Sequence, residues 1–199
     1  EEPYVSEGVP SLLDERVCDG DPSSLIVLYS LSKQSNVAGY RAALMYGDPK
    51  LLAPVIEIRK HAVMMVPAPV QEAMQCALGD TEHVQVQHEI YARRRSQLVE
   101  AVAATGLERD CDSAAGLYLW VCDPRGVMNS WDLVAAFAER GIVVAPGDFY
   151  GEAGVGFVRI ALTASDERIA AACQRLVAEP IVEISSRPAS ANAPIDRSI

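Results

Sequence analysis

Ser30-Leu31-Ser32-Lys33 gathers two hydroxyls and an amine in one short run, and Arg41 follows close behind. Two chemistries fit these residue types. In the first, the S-x-x-K spacing of serine acyl-transfer enzymes makes Ser30 the nucleophile and Lys33, one helical turn later, its activator. That chemistry asks for a serine at a helix start and for K-T-G and S-D-N partners. The chain has no K-T-G, and its S-x-N match, Ser190 to Asn192, lies near the C-terminal end. In the second, Lys33 is itself the reactive group. A lysine amine beside an aldehyde condenses with it, and partial desolvation keeps the amine nucleophilic. A hydroxyl such as Ser30 and a guanidinium such as Arg41 suit a phosphate on the same molecule, the arginine through paired charge-assisted bonds.

The elements that must position these groups are legible around them. Leu25 to Tyr29 is apolar and β-branched, which predicts a buried strand ending at Ser30, and Ala42 to Tyr46 predicts a second strand beyond a lysine-bearing loop. Of the lysines Lys33, Lys50 and Lys60, only Lys33 falls where a strand runs into a loop. Asp48 and Pro49 form a helix start, with Leu51, Leu52, Val55, Ile56 and Ile58 as its apolar face and an end near His61. His61 to Pro69 is a proline-broken connector. Val70, Met74 and Leu78 carry a helix to Gly79, and Asp80 or Thr81 caps a long helix running to about Ala104. Its predicted buried side holds Val84, Ile90, Tyr91, Leu98, Val99 and Val102, while Arg93, Arg94 and Arg95 face water. Beyond Gly106 the expected order is strand Leu117 to Val121, helix Trp131 to Arg140, strands Ile142 to Ala145 and Phe157 to Leu162, and helix Asp166 to Val177. Residues 1–23 read as loop with at most one helical turn. This intermixing predicts an α/β architecture divided within the long helix: 1–82, 83–180, and a disordered tail over 181–199.

Composition narrows the setting. The chain has 199 residues, half of them hydrophobic, and a formal charge of −10. That is enough for a real core, and the acidic balance argues against non-specific nucleic-acid binding, which needs a basic face. Cys18, Cys76, Cys111, Cys122 and Cys173 are scattered without a C-x-x-C pair, and His61, His83 and His88 show no metal-ligand spacing. No membrane span or signal peptide is indicated, which leaves the cytoplasm as the expected compartment. The sequence opens at Glu1 rather than methionine, as a processed or partial product would.

From Ser30 through Lys33, Asn36, Gly39 and Arg41 to Ala43, the stretch resembles along its whole length the pyridoxal-phosphate attachment motif of class I/II aminotransferases. The resemblance implies the C-terminal part of a fold-type-I transferase: the end of the large-domain sheet, a long connecting helix and a small α/β domain. It implies that Lys33 attaches pyridoxal 5'-phosphate, that Ser30 and Arg41 bind the phosphate, and that Ser32 belongs to the cofactor-binding loop. Gly154 to Thr163 is similar to the family's late strand, so Arg159 is expected to hold the substrate α-carboxylate. Pro146 to Gly151 resembles a P-G-x-x-F/Y-G loop whose aromatics could cover substrate. Tyr118 and Trp120 fit either the cleft or the core.

The implied substrates are an amino acid and a 2-oxo acid, with a homodimer as the complete assembly. Arg59 to Gln71, with Gly147 to Gly151, is similar to bacterial N-succinyldiaminopimelate aminotransferases. The resemblance matches only the later half of such chains. The pyridine-nitrogen Asp, ring-stacking aromatic and phosphate loop that precede the lysine strand in that family have no counterpart here, so the chain alone is expected to expose an apolar face and to be a poor catalyst. The competing expectation is a cofactor-sensing, aminotransferase-like domain of a transcription regulator.

Overall fold

The computed structural model of the chain describes residues 10–62, 65–111, 113 and 116–182. The expectations for residues 1–9, for 63–64 of the connector and for the tail from 183 onward lie outside the described residues. The chain forms two compact units, and the break falls within one long helix, between Arg93 and Arg94. Among the described residues, no helix is long and apolar enough to cross a membrane.

In the first unit a single turn, α1 (Glu15–Cys18), is capped by the Asp14 side chain, which accepts from the Arg16 N–H. It precedes β1 (Ile26–Tyr29), α2 (Leu31–Gln34), a 3-10 turn over Ala38–Tyr40 and β2 (Leu44–Gly47). β1 and β2 form an antiparallel pair in register from Ile26↔Gly47 to Tyr29↔Leu44. Gly47 has a positive φ of 144°, and a Cβ there would strike the Leu25 carbonyl oxygen, so the turn out of β2 admits only glycine. Asp48 then joins strand entry to helix start. Its carboxylate accepts from the N–H of Ser24 at 2.9 Å and of Lys50 at 2.8 Å, which caps α3 (Pro49–Ala62) as its sequence predicts. α4 (Ala68–Gly79) and the first half of α5 (Glu82–Ala104) complete the unit, α5 with the Glu82 N–H donating to Asp80 at 2.9 Å.

The strand before Ser30 is not buried as expected. Leu28 is 72 % exposed, because among the described residues β1 has only β2 beside it in a two-stranded sheet. Ile56, Ile58, Met65 and Leu78 are also exposed, so the expected apolar face is present in this unit. Met45, Met74 and Leu78 line a groove of about 550 Å³ there, together with Arg59 and Lys60.

The second unit is built on a four-stranded antiparallel sheet. Its order is β3 (Glu108–Arg109), β4 (Tyr118–Cys122), β6 (Phe157–Ala161), β5 (Ala145–Pro146). Strict alternation sends Leu119 and Val121 of β4, and Val158 and Ile160 of β6, to the buried face. There they share a core with Leu98 and Val102 of α5, Leu133 and Phe137 of α6 (Ser130–Glu139), and Ile169 and Leu176 of α7 (Asp166–Ala178). α6 starts in a reciprocal capping box: Asn129 accepts from the N–H of Asp132, whose carboxylate accepts from the Asn129 N–H.

Several expectations need correction in this unit. Ile142 to Ala145 is not a strand; pairing begins only at Ala145, and Val143 is 96 % exposed, because the chain here passes the sheet edge before joining β6. β3, only two charged residues long, leaves no strand pattern in the sequence. The arginine run of α5 does not simply face water. Arg94 is 13 % exposed, with Nε 2.5 Å from Asp166 and a second donor to the Leu162 carbonyl, while Arg95 donates to the Ser113 carbonyl at 2.8 Å. Both side chains turn inward because strand and helix ends beside them present oxygens that need donors. Burial lowers the Arg95 pKa, with the positive charge of Arg109 adding to it. Of the predicted buried side of α5, only Leu98 and Val102 are buried; Val84, Ile90, Tyr91 and Val99 are half-buried. Val182, assigned to the tail, is buried and donates its N–H to the Thr105 carbonyl at 2.9 Å, since Gly106 leaves room for its side chain.

Asp123 follows β4 with a buried carboxylate that accepts from Arg125 Nε and from the backbone N–H groups of Arg125 and Met128 at 3.0–3.2 Å. Burial alone raises its pKa, but these donors outweigh burial and hold the carboxyl below its ordinary value. Asp123→Asn is therefore expected to lower stability by about 1–3 kcal/mol near neutral pH. A depressed folded-state pKa stabilises fully above the unfolded value, about 3.9, and that contribution is lost as pH falls through the folded one. Urea unfolding of both proteins should show the gap closing below that value; a gap independent of pH would contradict the assignment.

Candidate active site

α2 is short but held at both ends. Ser30 is its N-cap, with Oγ accepting from the Ser32 N–H at 3.2 Å and donating to Ser32 Oγ at 2.9 Å. Leu31 is fully buried and anchors the turn. The Tyr29 hydroxyl donates to the Gln34 side-chain oxygen, and Ser35 at the C-cap lies 2.9 Å from His83 Nε2. The predicted lysine loop is thus a helical turn, formed because Ser30 caps it. Lys33 and Ser30 are exposed and Ser32 half-buried on this turn.

His83, read from sequence as incidental, tethers this turn and also lies 3.1 Å from Asp80 through Nδ1. Its hydrogen bond, with that of the Glu82 N–H, lowers the Asp80 pKa. The distance along the chain between Ser35 and His83 hid this contact.

The 3-10 turn Ala38–Tyr40 packs against α2 and ends at Arg41, whose backbone is left-handed at φ 52°, ψ 41°. Asn36 is also left-handed at φ 55°. Asparagine tolerates that region through its short polar side chain. For arginine it is an uncommon, strained state of the kind that functional segments retain. Arg41 is exposed and its guanidinium donates to the Ala38 carbonyl at 3.4 Å. Hydroxyls, an amine and a guanidinium so placed along one tethered turn and its continuation can receive an anion and present a nucleophile.

Arg159 belongs to the second unit. It sits mid-β6 on the half-exposed sheet face, opposite Trp120 of β4 and Ala145 of β5. Its guanidinium carbon lies over the rings of Tyr118 at 4.1 Å and Tyr150 at 4.7 Å. Tyr150 arrives on a 3-10 turn, Gly147–Tyr150, fixed by a close approach: a Cβ on Gly147 or on Gly154 would strike the other's carbonyl oxygen. Trp120 meets Tyr150 edge-on at 5.3 Å. Tyr118 and Trp120, open between cleft and core from sequence, both lie on the Arg159 side of the sheet, and the period-2 alternation with Leu119 and Val121 is the signal that separates them from the core.

Residues 6–176 match the family described as aminotransferase class I and II. The chain belongs to that family. It is 51 % identical over 166 residues to the probable aminotransferase Rv1178 of Mycobacterium tuberculosis, a match covering 83 % of this chain and 39 % of that protein. Identity is also 51 % over 166 residues to the 4-dedimethylamino-4-oxo-anhydrotetracycline transaminase OxyQ of Streptomyces rimosus, covering 83 % of this chain and 45 % of that one. The fold superposes on a probable N-succinyldiaminopimelate aminotransferase from Thermus thermophilus with a TM-score of 0.73 and 28 % identity, over 88 % of this chain and 46 % of that structure. The chain spans less than half the length of these relatives.

The mixed α/β fold is that of the C-terminal part of fold-type-I aminotransferases, and the family depends on pyridoxal 5'-phosphate. The residues present fit that cofactor. The Ser30 and Ser32 hydroxyls lie 2.9 Å apart, with Lys33 in the same turn and the Arg41 guanidinium after it, a donor set suited to a phosphate-bearing aldehyde. The serine-at-helix-start geometry that S-x-x-K acyl transfer asks for is also present.

Proposed function

We propose that the protein containing this chain is a pyridoxal-phosphate-dependent aminotransferase in which Lys33 is the cofactor-attaching and proton-transferring residue. The observation that carries this is the tethered turn bearing Ser30, Ser32 and Lys33 within a chain of this family. Ser30 and Arg41 hold the phosphate through hydroxyl and guanidinium donors, with Ser32 in the same cofactor-binding loop. When bound, the cofactor supplies an aldehyde for the amine and an electron sink for charge left at the substrate α-carbon. Lys33 Nζ takes the proton from that α-carbon, and Arg159 grips the α-carboxylate so that the Cα–H bond is held in a reactive orientation.

The substrate reading is transfer between 2-oxoglutarate and an N-succinylated diaminopimelate, in lysine or diaminopimelate biosynthesis. Its support is the resemblance of Arg59 to Gln71 and the name of the Thermus thermophilus relative. The complete protein is read as a cytoplasmic homodimer, in keeping with an exposed apolar face on the first unit. The 199-residue chain alone is read as poorly active, since among the described residues its first unit carries a two-stranded sheet. A panel assay on the full-length protein tests the substrate: 2-oxoglutarate formation of glutamate should be fastest with N-succinyl-diaminopimelate as donor. Turnover confined to an anhydrotetracycline-like ketone as acceptor would sink this reading while leaving the aminotransferase assignment intact.

A further inference from the structure

Arg159 differs from the other half-buried arginines of its unit. Arg94 spends its donors on Asp166 and the Leu162 carbonyl, Arg95 on the Ser113 carbonyl, and Arg140 on the carbonyls of Ala136, Glu179 and Pro180. Among the described residues, Arg159 has rings in place of carbonyls and carboxylates: Tyr118 at 4.1 Å and Tyr150 at 4.7 Å from its guanidinium carbon. A ring face attracts a cation through its quadrupole and uses none of its N–H groups. The charge is compensated, the side chain is ordered, and the planar N–H fork stays available.

The surroundings are built to keep that arrangement. Tyr118 and Arg159 emerge on one face of adjacent antiparallel strands, in the register Tyr118↔Ala161 and Trp120↔Arg159. Tyr150 is delivered by the turn that the Gly147 and Gly154 backbones lock together. Trp120 packs edge-on against Tyr150 at 5.3 Å and against Phe157 at 6.0 Å, which buttresses the second ring.

From this geometry we propose that Tyr118 and Tyr150 are positioning residues that pre-order the Arg159 guanidinium for carboxylate binding, through their rings and not their hydroxyls. The inference rests on the reading of Arg159 as the carboxylate anchor. Pre-ordering raises affinity because the rotamer entropy of the arginine is lost before the ligand arrives.

Glutarate, which carries carboxylates but no amino or oxo group, separates the two. In the full-length protein loaded with cofactor, its dissociation constant is measured together with the Nε–Hε NMR resonance of Arg159, assigned by its disappearance in Arg159→Lys. Tyr118→Leu and Tyr150→Leu should each weaken glutarate about 5- to 30-fold and move that resonance, whereas Tyr118→Phe and Tyr150→Phe should stay within about twofold of the parent. Unmutated protein should show the Arg159 side-chain protons shifted upfield by ring currents, a readout that needs no variant to fold. Leucine variants that bind like the parent, or Arg159 protons without an upfield shift, overturn the ring inference alone. Unchanged glutarate binding in Arg159→Lys overturns the carboxylate reading and the inference with it.

Discussion

Lys33→Ala in the full-length protein is expected to reduce transamination by at least about 10²- to 10⁴-fold, the contribution of a positioned proton-transfer group. Loss of the covalent attachment deepens the effect. Lys33→Arg should be no better, because a guanidinium stays protonated and can neither attack an aldehyde nor accept a proton. Stability should change little in either variant: Lys33 is exposed, and the buried anchor of its turn is Leu31. Single-turnover kinetics with excess enzyme check this, since they isolate the chemical step. An alanine variant that retained most of the parent rate would assign the proton transfer to another group.

Arg159→Leu is the second large effect. Removing one partner of a hydrogen-bonded charge pair should lower kcat/KM about 30- to 1,000-fold. If Arg159 is the carboxylate anchor proposed above, the loss should appear for every substrate bearing an α-carboxylate, the part that all of them share. Arg159→Lys should recover only part of it: an ammonium is a point charge and cannot meet a carboxylate with a planar fork. Unfolding should remain close to the parent's, since Arg159 rests on Tyr118 and Tyr150 and not on a buried carboxylate. Steady-state kinetics across several amino donors, with thermal unfolding alongside, checks both halves. Equal kcat/KM in parent and leucine variant would remove Arg159 from the site.

Local signals carried most of what was legible in the sequence. Asp48-Pro49 and Asp80 announce helix starts because a capping side chain acts within two residues of itself, and the structure has both. The strand bearing Arg159 was legible because its alternation is strict and one face is buried. What was missed depends on partners distant in sequence. Leu28 looks like core until the two-stranded sheet leaves it open. Arg94 and Arg95 look like solvent-facing charge until Asp166 and the Ser113 carbonyl are brought beside them. The tether from His83 to Ser35 and the stacking of Arg159 on Tyr150 leave no local pattern at all. The turn at Lys33 is a middle case: the sequence marks Ser30 as a hydroxyl for chemistry, and its capping of α2 follows from the same oxygen.

The central claim, that Lys33 is the amine meeting the cofactor, has a direct test in the competition of Lys33 with the other lysines of the full-length protein, Lys50 and Lys60 of this chain among them. Full-length protein incubated with pyridoxal 5'-phosphate, reduced with borohydride and digested should carry the pyridoxyl mass on the peptide containing Lys33, with Lys50 and Lys60 unlabelled. Label distributed over several lysines, or absent from Lys33, would contradict the account.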